Sequence, residues 1–473
     1  MAKKNMNMVE SFERNGIWWM PGQDNRVPGT LTFDPKNGVT VALFQPIDVE
    51  FAKKDYSASK LIHGIVDGGL KISLLDCYEV LGGTTFSGNG VYSNGKIVAR
   101  QCVTGVHLCD DSKFNKFLFA IDNYAQFMCR TGIRPATGHD IGFVWNRVNP
   151  VAFEIDGDKI KLGIGVQAPF SIFEFTASIK ENASISITTK SPAGDLDEAI
   201  LGVFHSLKTM LEFSLGYPVP IVQFKAVATD ACGQDEKIEI FFSQSGYDTQ
   251  KIGNPHQDML FSFCGLTDEN VPDFVRTWHD FYNQNRFTID VVINSGVKSS
   301  GAKRPEQSFF FLISSLEALQ RSYGKIKLSM PVDEFIKIKG LIFDVLPENY
   351  FGDHMRNRIG NMNDPSLRQR LNDVLDAMPQ SVAGRIISKK TLLDNLINTR
   401  TLLAHHIDRP ETNNEVLHIW HLTNVLWGIT VIYMLGLLGF SSDQIDGIVK
   451  NKINMLNALH WIEEVSSKPS NKS

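Results

Sequence analysis

Asn294-Ser295-Gly296-Val297-Lys298-Ser299-Ser300-Gly301-Ala302-Lys303-Arg304 divides this 473-residue chain into two parts written in different periods. The stretch is rich in Ser, Gly and Lys, and Pro305 directly after it suits the first position of a helix. It is read as the boundary between a domain at 1–300 and a domain at 305–465, with 466–473 as a disordered tail. The expected fold class is α+β, a β-rich N-terminal domain followed by an all-α bundle.

Upstream, short alternating runs flank turn signals. Leu31-Thr32-Phe33 and Val39 to Leu43 flank Asn37-Gly38. Ile62 to Val66 and Leu70 to Leu74 flank Asp67-Gly68-Gly69. Val91-Tyr92 and Ile97-Val98-Ala99 flank Asn94-Gly95, and Phe153 to Ile155 and Ile160 to Leu162 flank Asp156-Gly157-Asp158. These predict an antiparallel sheet or sandwich to about residue 190, then a mixed α/β stretch to about 300. In that stretch, Asp195 is placed to cap a helix over 196–215, a strand is expected at 238–242, and a helix at 271–282.

Downstream, the pattern is helical throughout. Helices are predicted over 305–323, from Pro331 and Asp333 toward Leu346, from Asp364-Pro365 to Met378, and from a Ser388 cap to His406. Pro410 disfavours helix at Arg409, and two long helices follow at 414–438 and 442–464. From Leu417 to Ser442 no Asp, Glu, Lys or Arg occurs, a length that permits a membrane span. His418, His421, Thr423 and Asn424 interrupt it and no Lys/Arg cluster orients it, so it is read as a buried bundle helix.

Composition narrows the function classes. Net charge is −5, so any nucleic-acid site must be a local patch, and 298–304 is one small basic stretch. The six Cys lack C-x-x-C or zinc spacing and are read as reduced thiols of a cytoplasmic protein. Met1-Ala2-Lys3-Lys4 is not followed by an apolar run. There is no Walker loop, no G-x-G-x-x-G after a strand and no G-x-S-x-G elbow. His405, His406, His418 and His421 are the only metal-like grouping, and no Cys or acidic residue is spaced to complete it. No metal and no cofactor is therefore expected.

One pair carries chemistry. Asn398-Thr399-Arg400-Thr401-Leu402-Leu403-Ala404-His405-His406 places a His five residues after an Arg. An Arg can hold a pentacoordinate phosphate dianion, and a His can move protons near neutral pH. Spacing alone is weak, because Arg100/His107 and Arg134/His139 are comparable matches in a chain with 12 His. The helical setting separates Arg400 from them. At about 100° per residue, Leu392, Leu393, Leu396, Ile397, Leu403 and Ala404 fall within about 80° of Arg400. A guanidinium on an apolar face needs an anion: either a structural partner such as Glu317 or a substrate phosphate. His405 lies about 140° round the helix, on a stripe with Asp394, Asn398 and Thr401. Either the last turn is distorted or a second copy completes the site, two Arg and two His in one cleft. The plainer reading of His405 is a cation at the helix's carbonyl end.

With these residues in view, 305–440 resembles the HEPN domain of the ApeA family of antiphage proteins. The matching pieces are Ser315-Leu316-Glu317-Ala318-Leu319 and Thr399-Arg400-x-x-x-x-His405-His406. The first part resembles the β-rich ApeA N-terminal domain through Gly16 to Pro21, Pro28 to Leu31 and His63 to Leu74. The resemblance implies an abortive-infection endoribonuclease that needs no metal, works as a homodimer or higher homo-oligomer through its HEPN domain, and uses Arg400 and His405. Relatives often cut tRNA anticodon loops, which makes tRNA one implied RNA substrate. The family often has Asn after the Arg, where this chain has Thr401. Asp394, Asn398, Thr401, His406 and Glu317 are the supporting candidates. The β-rich part is read as a sensor or inhibitor answering an unknown phage trigger, with no membrane partner. The alternatives are a non-catalytic HEPN module that binds RNA or protein, and a membrane-acting protein using 417–442.

Overall fold

A computed structural model describes residues 6–47, 61–87, 90–109, 111–136, 142–167, 170–171, 176–177, 179–194, 196–229, 234–244, 255–296, 304–324, 328, 330–360, 362–405 and 413–468. Its first six strands are β1 (Phe12–Trp19), β2 (Val27–Asp34), β3 (Gly38–Leu43), β4 (Ile62–Val66), β5 (Leu70–Ser87) and β6 (Gly90–Thr104). All pair antiparallel, in the order β6-β3-β2-β1-β4-β5, and β5 pairs back onto β6, which closes a barrel. The sequence predicts a sheet or sandwich; the closure comes from the length of β6. One of its edges pairs with β5, while the other takes β3 at 95–99 and a further strand at 101–104. Trp18, Leu31, Phe33, Val39, Val41, Ile62, Leu74 and Ile97 fill the interior and are fully buried.

The turn at Asp67-Gly68-Gly69 joins β4 to β5 as predicted, with Gly68 and Gly69 at φ 78° and 73°. Asn94-Gly95 is not a turn. β6 runs straight through it, because the pairing with β5 absorbs the irregularity as a register shift between Leu81 and Thr84.

The sheet continues beyond the barrel. Its strands are β7 (Lys113–Ile121), β10 (Val151–Ile155), β11 (Asp158–Gln167), β14 (Lys180–Ala193), β15 (Ile221–Thr229) and β16 (Asp235–Phe242), ordered β10-β11-β14-β7-β15-β16-β6. Asp156 and Gly157, at φ 53° and 92°, make the two-residue hairpin turn predicted there. Small pairs, β8 (Ile133–Pro135) with β9 (Phe143–Trp145) and β12 (Phe170–Ser171) with β13 (Thr176–Ala177), stand apart. The expected 196–215 helix is broken into α2 (Leu196–Ala199), a wide turn at 200–204 where Gly202 is non-helical, and α3 (His205–Leu215). Asp195 lies outside the described residues. Phe204 stacks on Phe119 at 3.5 Å, setting this segment against the sheet. Short helices α1 (Tyr124–Met128) and α4 (Pro255–Asp258) complete this part. Cys129, after α1, and Cys264 are disulfide-bonded with Cα atoms 5.2 Å apart, which corrects the reading of all six Cys as reduced. At a sequence separation of 135, no spacing rule links them.

The chain divides into two compact units, Met1–Ser214 with Pro218–His256 and Phe261–Asp280, and Leu215–Tyr217 with Gln257–Leu260 and Phe281–Ser473. The seam therefore falls inside helix α5 (Asn270–Ser295), earlier than the 294–304 boundary read from the sequence, because this predicted 271–282 helix runs on into the second unit.

The second unit is helical: α6 (Pro305–Tyr323), α7 (Val332–Val345), α8 (Tyr350–Gly360), α9 (Leu367–Asp376), α10 (Gln380–Ala383), α11 (Lys389–His405), α12 (Asn413–Leu437), α13 (Ser442–Asn451), α14 (Ile453–Ala458) and α15 (Ile462–Ser467). Pro305 is the first residue of α6, as predicted. α9 starts at a Ser366–Gln369 capping box rather than at Asp364-Pro365. α8 was not legible in the sequence. α12 is the apolar 417–442 segment, and 421–432 is buried on every face. It is long and apolar enough to cross a membrane, and 83% of its apolar window is buried inside the protein. Trp427 on it donates its indole N–H to the Val292 carbonyl at 2.8 Å. The expected 442–464 helix is three, because Lys452 is extended and Asn454 turns inward to donate to the Leu215 carbonyl at 2.7 Å. The chain stays ordered past 465: Ser466 is fully buried and accepts the Ile387 N–H at 3.0 Å, so the expected tail does not begin at Ser466.

Candidate functional site

α11 carries the Arg400/His405 pair. Ser388 caps it, accepting the Thr391 N–H at 3.2 Å. Leu392, Leu393, Asn395, Leu396 and Thr399 form its buried side. Asn395 is fully buried there and donates to the Val465 and Lys468 carbonyls, both at 2.8 Å, which satisfies the end of α15. Sequence reasoning missed Asn395; its place between Leu392 and Leu396 on the apolar side was the available signal.

Arg400 stands at the rim of this buried side and is half-buried. Among the described residues no acidic group pairs with it. Glu317, the structural partner weighed from the sequence, instead accepts from Arg321 at 3.2 Å. The buried guanidinium of this bundle is Arg370, 4% exposed, which donates to the Gln320 side chain at 3.0 Å and the Pro365 carbonyl at 3.2 Å. Arg321, Arg356, Arg368 and Arg385 each hold a carboxylate. Among the described residues, no carboxylate occupies the guanidinium of Arg400.

The backbone stays α-helical through His405, so the Cβ directions of Arg400 and His405 diverge by about 140°. His406 lies outside the described residues. Asn398 and Thr401 are exposed, and Thr401 donates its hydroxyl back to the Ile397 carbonyl at 2.9 Å. That leaves its oxygen free only to accept. Asp394 pairs with Arg368 of α9. This pair borders a groove between α9 and the first turns of α11, lined by Arg368, Asn372, Asp373, Lys389 and Lys390. Lys389 is held by Asp376 at 2.6 Å, on the same side.

The other sequence candidates resolve separately. Arg100 pairs with Asp76 and Asp197, and His107 stacks on His63 with ring centroids 4.6 Å apart. His139 lies outside the described residues. His421 lies flat on Trp461 at 3.8 Å, with Glu464 3.9 Å from its Nδ1. Burial lowers the pKa of His421 and of His418, and Glu464 partly opposes this. Among the described residues no group of three or more His, Cys, Asp or Glu could hold a metal ion.

Comparison with known families finds two matches. Residues 13–278 match the model for ApeA N-terminal domain 1, and residues 311–444 match the model for Apea-like HEPN. The first spans the barrel and its extended sheet; the second spans α6 to α12 and contains Arg400 and His405. No curated protein and no solved structure matches the chain.

Proposed function

This chain belongs to the ApeA family and is a HEPN-type antiphage defence protein, and on that premise we propose that its helical domain is a metal-independent endoribonuclease. One observation carries the reading beyond membership: Arg400 is half-buried on the rim of the helical core with no carboxylate on it among the described residues, while other arginines of the bundle are engaged. A guanidinium so placed is prepared to bind phosphoryl oxygens bidentately. In the proposed reaction the RNA 2′-hydroxyl attacks the adjacent phosphate, His405 takes its proton, and Arg400 holds the developing dianion. The 5′ oxygen leaves with a proton from a second His or from water. The ends are a 2′,3′-cyclic phosphate and a 5′-hydroxyl.

The divergence of Arg400 and His405 along one regular helix supports a site shared by two copies. Single-stranded loops, those of tRNA among them, present an accessible 2′-hydroxyl and suit such a cleft. In this reading the β-rich domain senses the phage trigger and restrains the bundle, and the protein acts in the cytoplasm. The test is cleavage of RNA in excess chelator. Arg400→Ala and His405→Ala should each lose about a hundredfold or more. Mixing the two inactive variants should restore part of the activity through hybrid dimers. RNA that is bound but never cut would leave the non-catalytic binding module as the function.

A further inference from the structure

A second groove lies between the C-terminal half of α5 and the first turns of α6, lined among others by Phe287, Asp290, Asn294, Arg304, Gln307 and Phe311. All of it belongs to the helical unit. Phe287 is 64% exposed and Phe311 48% exposed, and their rings meet edge to face with centroids 6.5 Å apart. Large aromatic rings are normally a main source of burial energy, so two kept open at the mouth of one groove are unusual. Val291 also lines it, and the remaining lining residues are polar. Arg304 precedes the first turn of α6, caps nothing with its side chain, and has no acidic partner among the described residues. Gln307, one turn along, makes no side-chain hydrogen bond among them.

Open aromatic faces beside an amide and a guanidinium with no acidic partner among the described residues match the chemistry of a nucleotide. Bases stack on aromatic rings whatever their identity, Arg takes the phosphate, and amide groups meet base edges. A hydrophobic peptide would gain the two rings but would bring no anion to the Arg304 guanidinium. We propose that this groove binds one or two nucleotides of single-stranded RNA, with Phe287 and Phe311 as stacking platforms and Arg304 on the backbone phosphate. The proposal rests on the reading of the domain as one that acts on RNA, and adds a binding subsite outside the Arg400/His405 machinery.

The experiment measures binding of a fluorescent single-stranded RNA decamer to the full chain in excess chelator, by anisotropy. The Phe287→Ala/Phe311→Ala double variant should weaken binding about tenfold or more, and Phe287→Ala/Phe311→Trp should recover part of it. Arg304→Ala should weaken binding severalfold and flatten its salt dependence. Melting curves that match wild type establish that these exposed substitutions leave the fold intact. Unchanged affinity in a folded double variant overturns the proposal, as does equal loss of binding to a duplex of the same sequence. Cleavage assays on the same proteins keep the two readings apart. Arg400-dependent cutting with an unchanged KM in the double variant leaves the ribonuclease standing and removes the groove. Phe-dependent binding by a wild type that never cuts does the reverse.

Discussion

The indole of Trp18 lies so close over the backbone of Gly64 that a Cβ added there would sit 2.3 Å from the Trp18 Cζ3. The same ring donates its N–H to the Gly29 carbonyl at 3.3 Å. Three stretches that carry the N-terminal resemblance, at 16–21, 28–31 and 63–74, thus meet inside the barrel around one side chain. Gly64→Ala forces either the ring or β4 to move, and should cost about 3 kcal/mol or more. Gly447→Ala, where nothing stands within 4 Å of the new carbon, should leave stability level or slightly raised. Urea midpoints of the two variants check this; equal midpoints contradict the packing described.

Two arginines of the helical unit should behave oppositely. Arg370 is buried in a hydrogen-bonded network with Gln320, so Arg370→Met should cost about 3 kcal/mol by stranding that amide. Arg400 supports nothing within the described structure, so Arg400→Ala should cost under about 1 kcal/mol while abolishing RNA cleavage. Paired unfolding and activity measurements separate the structural cation from the functional one.

Mild acid should weaken the fold through buried histidines. Burial lowers the pKa of His63, His418 and His421, with the carbonyl of Leu108 partly offsetting it for His63 and Glu464 for the other two. The unfolded chain then takes up protons near pH 6.5, where the folded chain does not. Stability is full above that pH and falls as pH drops through the folded values. Midpoints measured at pH 7.5 and 5.5 should decrease, and His63→Gln should reduce the decrease. A flat or rising stability across that interval contradicts the sign.

The Cys129–Cys264 bridge spans 135 residues of chain. A loop of that size implies about 5 kcal/mol of stabilisation in the chain-entropy account. Reductant should lower the urea midpoint of the oxidised protein, and Cys129→Ser/Cys264→Ser should show the lowered value without reductant. Peptide mapping that finds both thiols free in non-reduced protein contradicts the bridge.

Hairpins joined by short Gly turns were legible because each turn needs a left-handed residue, as Gly68 and Gly157 show. Asn94-Gly95 carries the same signal and is not a turn, since the pairing along β5 decided there. Barrel closure could not be read locally; it depends on β6 serving three partners. In the bundle, Pro305 and Ser388 marked helix starts accurately, while the breaks at Lys452 and after Ala458 follow from the tertiary bonds of Asn454. At the site, the helical wheel placed Arg400 in the middle of the apolar face, whereas the buried side is centred on Leu392, Leu396 and Thr399, with Arg400 at its rim and Ala404 exposed. It did not show that Glu317 is engaged with Arg321, or that Asp394 is engaged with Arg368, because partner choice depends on packing between helices.

The central claim is tested most directly by sequencing RNA ends in cells challenged with phage. Cells with the wild-type chain should accumulate new 2′,3′-cyclic phosphate and 5′-hydroxyl ends at single-stranded sites, and cells with Arg400→Ala or His405→Ala at equal protein level should not. The same ends in either variant, or wild-type ends bearing 3′-hydroxyl and 5′-phosphate, would contradict the account.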